Sequence, residues 1–96
     1  MSSGGHVYIM TDHMRRVLYI GVTADLPARV YQHQQGQSGF TSRYGLNVLV
    51  HVETYDDIRT AIQREKNLKR WVRAWKVALI DKHNPMWADL SLNLLK

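Results

Sequence analysis

The sequence predicts an α/β fold: a three-stranded antiparallel sheet covered by helices, in the order β-β-α-β-α-α. Three observations carry it. Two short apolar runs rich in β-formers, "HVYIM" (His6 to Met10) and "VLYIGV" (Val17 to Val22), are separated by six polar residues, as in a hairpin with a longer loop. A third run, "LNVLVHVETY", alternates as a strand does. The segments after the second and third runs carry helical start signals and helical periodicity.

The elements follow in order. After the hairpin, "TADLP" offers Thr23 or Asp25 as a cap, with Pro27 tolerated in the first turn. The first helix should run to about Gln35, where Gly36 can end it. "GQSGFTSRYG" (Gly36 to Gly45), with three glycines, reads as a loop. In the third strand Val48, Val50 and Val52 should share a face. Asp56 or Asp57 should cap the second long helix, "DIRTAIQREKNLKRW". "VRAWKVALIDKHN" is its continuation or a further helix, stopped before Pro85. The tail can pack back through Trp87, Leu90 and Leu92.

With 96 residues the chain should form a single domain, residues 1–96 with a core from about 6 to 90. Apolar residues make up 45% and charged residues 22%, the balance of a soluble globular protein. The absence of cysteine excludes disulfides and thiolate metal sites, and it fits a cytoplasmic protein. No run reaches the ~18 apolar residues of a membrane span, and the start is no secretory signal. Thirteen Lys and Arg against eight Asp and Glu give a net charge of +5, which favours polyanionic partners.

Polar residues occupy places where a core should be. On the first helix Leu26, Val30 and His33 fall on one face, with Arg29 roughly 40° from His33. Arg29 either snorkels from the rim or faces a site, and His33 is either a satisfied buried histidine or a functional one. On the second long helix Ile58, Ala61, Ile62, Leu68 and Val72 form an apolar stripe, and Glu65 projects from its middle. A carboxylate there needs a cation or a metal, so a salt bridge to Arg29 or Lys69 stands against a metal-ligand role. Tyr8 and Tyr19 take related positions in the hairpin; plain strand packing is their ordinary use. Taken together, two tyrosines, an arginine, a histidine and a glutamate make a poor core and a reasonable phosphodiester-cutting centre.

These residues resemble a known family. "HVY" (His6-Val7-Tyr8) and "YIG" (Tyr19-Ile20-Gly21) are similar to the two motifs that name the GIY-YIG nuclease superfamily. Arg29, ten residues after Tyr19, fits its helix arginine, and His33 a histidine found in several branches. Glu65 in "REKNLK" resembles the metal-binding glutamate, and Asn84 in "HNP" the late asparagine. The likeness runs from about Val7 to Leu90 and is strongest to small stand-alone bacterial members of the endonuclease type. His6 departs from the first glycine of the name, and Val22 stands where repair-type members usually carry lysine.

The resemblance implies a metal-dependent endonuclease that hydrolyses phosphodiester bonds with one divalent ion, Mg²⁺ or Mn²⁺. It implies Glu65 as the metal ligand, Arg29 as the phosphate clamp and a tyrosine as general base. Tyr19 is the choice for the base, with Tyr8 positioning water or phosphate, His33 accepting the proton and Asn84 orienting Glu65 or a bound water. DNA is the substrate class it points to first, in branched, flapped or damaged form, within repair or recombination. The other reading is a nucleic-acid-binding module without catalysis, and a third is a buried polar network in an interaction protein.

For holding nucleic acid, Arg59, Lys66, Arg70 and Arg73 would line one helix flank if the second long helix continues through Arg73, with Lys69 beside Glu65. Arg43 can contact a phosphate from the glycine-rich loop, where Phe40 or Tyr44 either stacks on a base or anchors the loop. Nothing in the sequence reads bases, so specificity must come from nucleic-acid structure, a homodimer or a protein partner. His13, His51 and His83 lack metal-ligand spacing and read as surface or structural, and the three tryptophans read as core.

Overall fold

The hairpin forms because two β-rich runs flank a turn that ties itself down. The computed structural model describes residues 4–36 and 39–95, and of residues 40–42 and 95 the backbone alone. Strands β1 (Gly5–Thr11) and β2 (Leu18–Thr23) pair antiparallel, with Tyr8 opposite Gly21 and Ile9 opposite Ile20. The buried Asp12 carboxylate closes the connection by accepting the backbone N–H groups of Arg16 at 2.8 Å and Val17 at 3.1 Å. Strand β3 (Val48–Tyr55) pairs antiparallel with the other side of β1, so the order is β2-β1-β3 and β2 is an edge.

Helix α1 (Leu26–Gln34) starts at Asp25, whose side chain accepts Ala28 N–H at 3.2 Å, and Pro27 sits in the first turn. It ends at Gly36, which takes φ of 71°, a value costly for residues with a Cβ. The segment expected as a loop contains a short helix, α2 (Gly39–Tyr44), ended by Gly45 at φ 63°. Asp57 rather than Asp56 caps α3 (Ile58–Arg70). The basic C-terminal segment is a separate helix, α4 (Arg73–His83), because Trp71 and Val72 adopt extended backbone and turn the chain. That turn lays Trp71 against the core and under the Arg64 guanidinium, 5.0 Å from its ring. A 3-10 turn (Leu90–Leu95) closes the chain.

Alternation along the strands divides the core in two. Val7, Ile9, Ile20 and Val50 face α3 and α4 with Ala61, Leu68 and Ile80. Tyr8, Met10 and Leu49 face α1 and the 3-10 turn with Leu26, Val30, Leu46 and Leu90. The expected common face for Val48, Val50 and Val52 is corrected by a β-bulge. Ile9 pairs with His51 and Met10 with Leu49, leaving Val50 as an extra residue. Val50 therefore follows Val48 toward α3 and α4, while Val52 turns to the α1 side. Buried Asn84 donates to the Val50 carbonyl at 3.0 Å, satisfying the bulge, and to Ala88 O at 2.9 Å.

Three further expectations are corrected by packing. Ile62 and Val72 are exposed, because the α3 stripe that meets the sheet is Ile58, Ala61 and Leu68 with Arg64 and Glu65 half-buried. Leu92 points outward while Leu90 and Leu94 pack inward. Trp75 is mostly exposed against the edge of Trp71, whereas Trp71 and Trp87 pack on the core. Among the described residues no helix is long and apolar enough to cross a membrane.

Gly21 is where the sheet tolerates no side chain. A Cβ there would lie 2.4 Å from the Tyr8 ring and from its hydroxyl oxygen. We predict that Gly21→Ala destabilises the domain by about 1–3 kcal/mol through overpacking. Urea denaturation measures this, and an unchanged midpoint would contradict the packing of Tyr8 across that position.

Candidate active site

The pleat of the hairpin puts Tyr8 and Tyr19 on the α1 face of the sheet, on neighbouring strands with ring centroids 6.3 Å apart. Helix periodicity then delivers His33 onto them. Its ring centroid lies 5.6 Å from Tyr8 and 5.3 Å from Tyr19, and its Nε2 shares a 2.8 Å hydrogen bond with the Tyr8 hydroxyl. Arg29, one turn earlier, presents its guanidinium to both tyrosines while donating to Gln32 at 3.2 Å. Thus Tyr8, Tyr19, Arg29 and His33, four of the residues singled out from sequence, converge on one spot.

Charge within this spot is strongly coupled. Burial pushes the Tyr8 hydroxyl up to about 12, overcoming the opposite pull of Arg29. Arg29 is itself raised, by its hydrogen bond and attraction to Tyr8 and then by Tyr19. His33 is lowered, first by burial and then by the positive charge of Arg29. At neutral pH the cluster therefore holds a protonated Tyr8, a cationic Arg29 and an uncharged imidazole able to accept a proton. Tyr19 is half-buried and reaches the protein surface, whereas Tyr8 is wholly enclosed.

Glu65 comes from the other face of the sheet, on α3. Its carboxylate pairs with Lys69 at 3.2 Å, one turn on, which settles the choice between Arg29 and Lys69 as ion-pair partner. The carboxylate side chain is only 13% exposed, against 55% for Lys69, so the lysine can be displaced without unpacking the core. Among the described residues no three His, Cys, Asp or Glu side chains gather as a metal cage. A lone hard oxygen donor fits Mg²⁺ or Mn²⁺ held by one carboxylate with water and phosphate oxygens, and does not fit a structural metal. The Asn84 carboxamide donates to Val50 O and Ala88 O and accepts the Ala88 N–H, at the end of α4.

The basic flank expected on one continuous helix is broken. α3 stops at Arg70, and Arg73 donates to the Arg15 carbonyl at 2.8 Å, tying α4 to the hairpin turn. Arg59 forms a close pair with Asp57 at 2.7 Å. Lys66 and Arg70 stay exposed on α3, and Arg43 is exposed over the Tyr44 ring at 5.9 Å. The side chain of Phe40 lies outside the described residues.

Two features escaped the sequence reading. Glu53 is enclosed by His51 Nε2 at 2.9 Å, the Tyr55 hydroxyl at 2.7 Å and two Arg64 nitrogens at 2.9 and 3.1 Å. Burial raises its carboxyl, but these donors outweigh it and hold Glu53 well below the usual carboxylate range. The spacing His51, Glu53, Tyr55 is a period-two polar triplet on one strand face, a signal that could have revealed the network. The other is Lys76 on α4, which lines the same surface cleft as Tyr19 and Lys69.

Comparison with known proteins matches residues 4–78 to the GIY-YIG catalytic domain. A UPF0213 protein of Syntrophus aciditrophicus is 34% identical over 85 residues, covering 86% of this chain and 95% of that protein. A UPF0213 protein of Natronomonas pharaonis is 33% identical over 81 residues, covering 83% and 94%. One from Halobacterium salinarum is 35% identical over 75 residues, covering 77% and 96%. No solved structure matches.

The electrostatics of the cluster give a pH prediction. A histidine with its pKa lowered below 6.5 on folding binds fewer protons folded than unfolded. Stability is therefore full above about pH 6.5 and falls as acid passes that value toward the lowered one. NMR titration should place His33 below 6.5, and Arg29→Met should move it upward by removing the neighbouring charge. A titration unmoved by that substitution would contradict the coupling.

Proposed function

Because the chain belongs to the GIY-YIG family, a family of nuclease domains, we propose that it is a metal-dependent endonuclease hydrolysing phosphodiester bonds in DNA. The observation that carries this reading is the convergence of Tyr8, Tyr19, Arg29 and His33 on one face of the hairpin, with their charges held in complementary states. Branched, flapped or damaged DNA is the substrate, in repair or recombination, and the cytoplasm is its place of action. Affinity rests on phosphate contacts by Lys66, Arg70 and Arg43, with smaller parts for Lys69, Arg59 and Arg73, which already have partners. Specificity is then left to DNA structure, a second copy or a protein partner.

The chemistry follows from the protonation states. The Tyr19 hydroxyl, accessible beside the Arg29 cation, passes its own proton to His33 as it takes one from the attacking water. His33 is the neutral acceptor through which the cluster can take up that proton, held in place by Tyr8. Tyr8 keeps its own proton, since its pKa stands at about 12, and it orients rather than reacts. The water oxygen forms a bond to phosphorus as the ester P–O bond breaks, and the leaving oxygen takes up a proton from solvent. Arg29 forks two N–H donors onto the phosphate oxygens, where negative charge accumulates. Glu65 is the residue to hold Mg²⁺ or Mn²⁺, which when bound supplies Lewis-acid stabilisation of the phosphate. Lys69 must leave Glu65 for that to happen.

Two observations favour the alternative of a binding module without catalysis: Glu65 is paired with Lys69, and the Asn84 carboxamide bonds to the backbone. A panel of labelled single-stranded, duplex, flap and four-way-junction DNA, with RNA alongside, separates the two. In Mg²⁺ or Mn²⁺ the wild type should cut DNA. Folded Glu65→Ala should lose cleavage, and Arg29→Ala should lose about 10²–10³-fold in rate. Binding without cleavage under either metal would favour the module.

A further inference from the structure

The free edge of β2 carries an open cleft of about 240 Å³, lined by Leu18, Tyr19, Ile20, Lys69 and Lys76. Its floor is aliphatic, because Leu18 and Ile20 point to the α3 and α4 side of the sheet. Its cations come from two successive helices. They meet there because the chain turns at Trp71 and Val72. Lys69 also holds Glu65, so the cleft adjoins the expected metal ligand, and Tyr19 joins it to the catalytic cluster.

We propose that this cleft binds the nucleotide next to the cut phosphate, with its base unstacked onto the Leu18 side of the aliphatic floor and its phosphate held by Lys76, joined by Lys69 once Lys69 leaves Glu65. Size, chemistry and position each favour that ligand. The volume lies below the roughly 300 Å³ at which sites for whole drug-sized molecules begin, and suits one ring. An apolar floor flanked by ammonium groups matches a flat base joined to an anion. A base can reach the floor only after leaving its stack, which is least costly for one that is unpaired or damaged. A flap or single strand is therefore held more tightly than a continuous duplex. The ligand's identity rests on the nuclease reading, and a binding measurement lets the two fail separately.

The experiment measures anisotropy of a short labelled single-stranded DNA over a range of salt without divalent metal, for wild type, Lys76→Met and Lys76→Arg. Lys76→Met keeps the buried stem and removes the charge. It should weaken binding roughly five- to tenfold and reduce the slope of log affinity against log salt by about 0.7, the share of one phosphate. Lys76→Arg should retain most of both. With 2-aminopurine placed in the strand, fluorescence should rise on binding to wild type and not on binding to Lys76→Met. Affinity and slope unchanged in Lys76→Met would overturn the proposal. Metal-dependent cleavage of the same DNA gives the second readout. Cleavage whose KM is unchanged in Lys76→Met overturns the cleft and leaves the nuclease. Lys76-dependent binding and unstacking with no cleavage supports the cleft and overturns hydrolysis.

Discussion

The ring of Tyr8 lies across Gly21, and the rest of the candidate site depends on that contact. The antiparallel register sets Tyr8 opposite Gly21, and the missing side chain there is what lets the tyrosine occupy the space. From that position its hydroxyl meets His33, which fixes how α1 lies on the sheet. With α1 so placed, the Arg29 charge lies beside the two tyrosines. A one-residue slip of β2 would turn Tyr19 to the opposite face and replace Gly21 with a branched residue beneath the ring. Register, packing and electrostatics are thus one constraint.

The two faces of the sheet divide the work. The α1 face combines an apolar core with a titratable cluster that sits in mutually dependent charge states. The α3 and α4 face holds its buried charge in satisfied form: Glu53 is enclosed by three side chains, and Asn84 closes the bulge at Val50. A buried carboxylate with several donors is a structural arrangement that resists protonation, whereas Glu65 has one displaceable partner. The contrast between these two glutamates is what supports the proposal of chemistry at Glu65 and a structural part for Glu53. Lys69 and Lys76 then connect the faces around the edge of β2.

Most of the fold was legible because its signals are local. Alternating β-formers marked the strands, Asp25, Pro27 and Gly36 bounded α1, and the Tyr, Arg and His spacings needed only the periods of strand and helix. What escaped was non-local. The bulge at Val50 needs a partner strand to define it, so it could not be read from alternation in β3 alone. The chain turn at Trp71 and Val72 carries no proline or glycine; it follows from where Trp71 packs, and it undid the continuous basic flank. The bonds of Asn84 to Val50 O and Ala88 N–H join segments distant in sequence, so they too were out of reach of a local reading. Lys76 joined the cleft through that same turn.

On the proposed function, Arg29 sits beside the tyrosines for chemistry and not to hold the fold together. The direct measurement is urea unfolding of Arg29→Met set beside its phosphodiesterase rate under Mg²⁺ or Mn²⁺. Removing a half-buried charge kept for catalysis should slow cleavage about 10²–10³-fold while leaving stability unchanged or higher. A variant that loses about 2 kcal/mol of stability yet cleaves as fast as wild type would show the cluster to be a structural network, and would contradict the account.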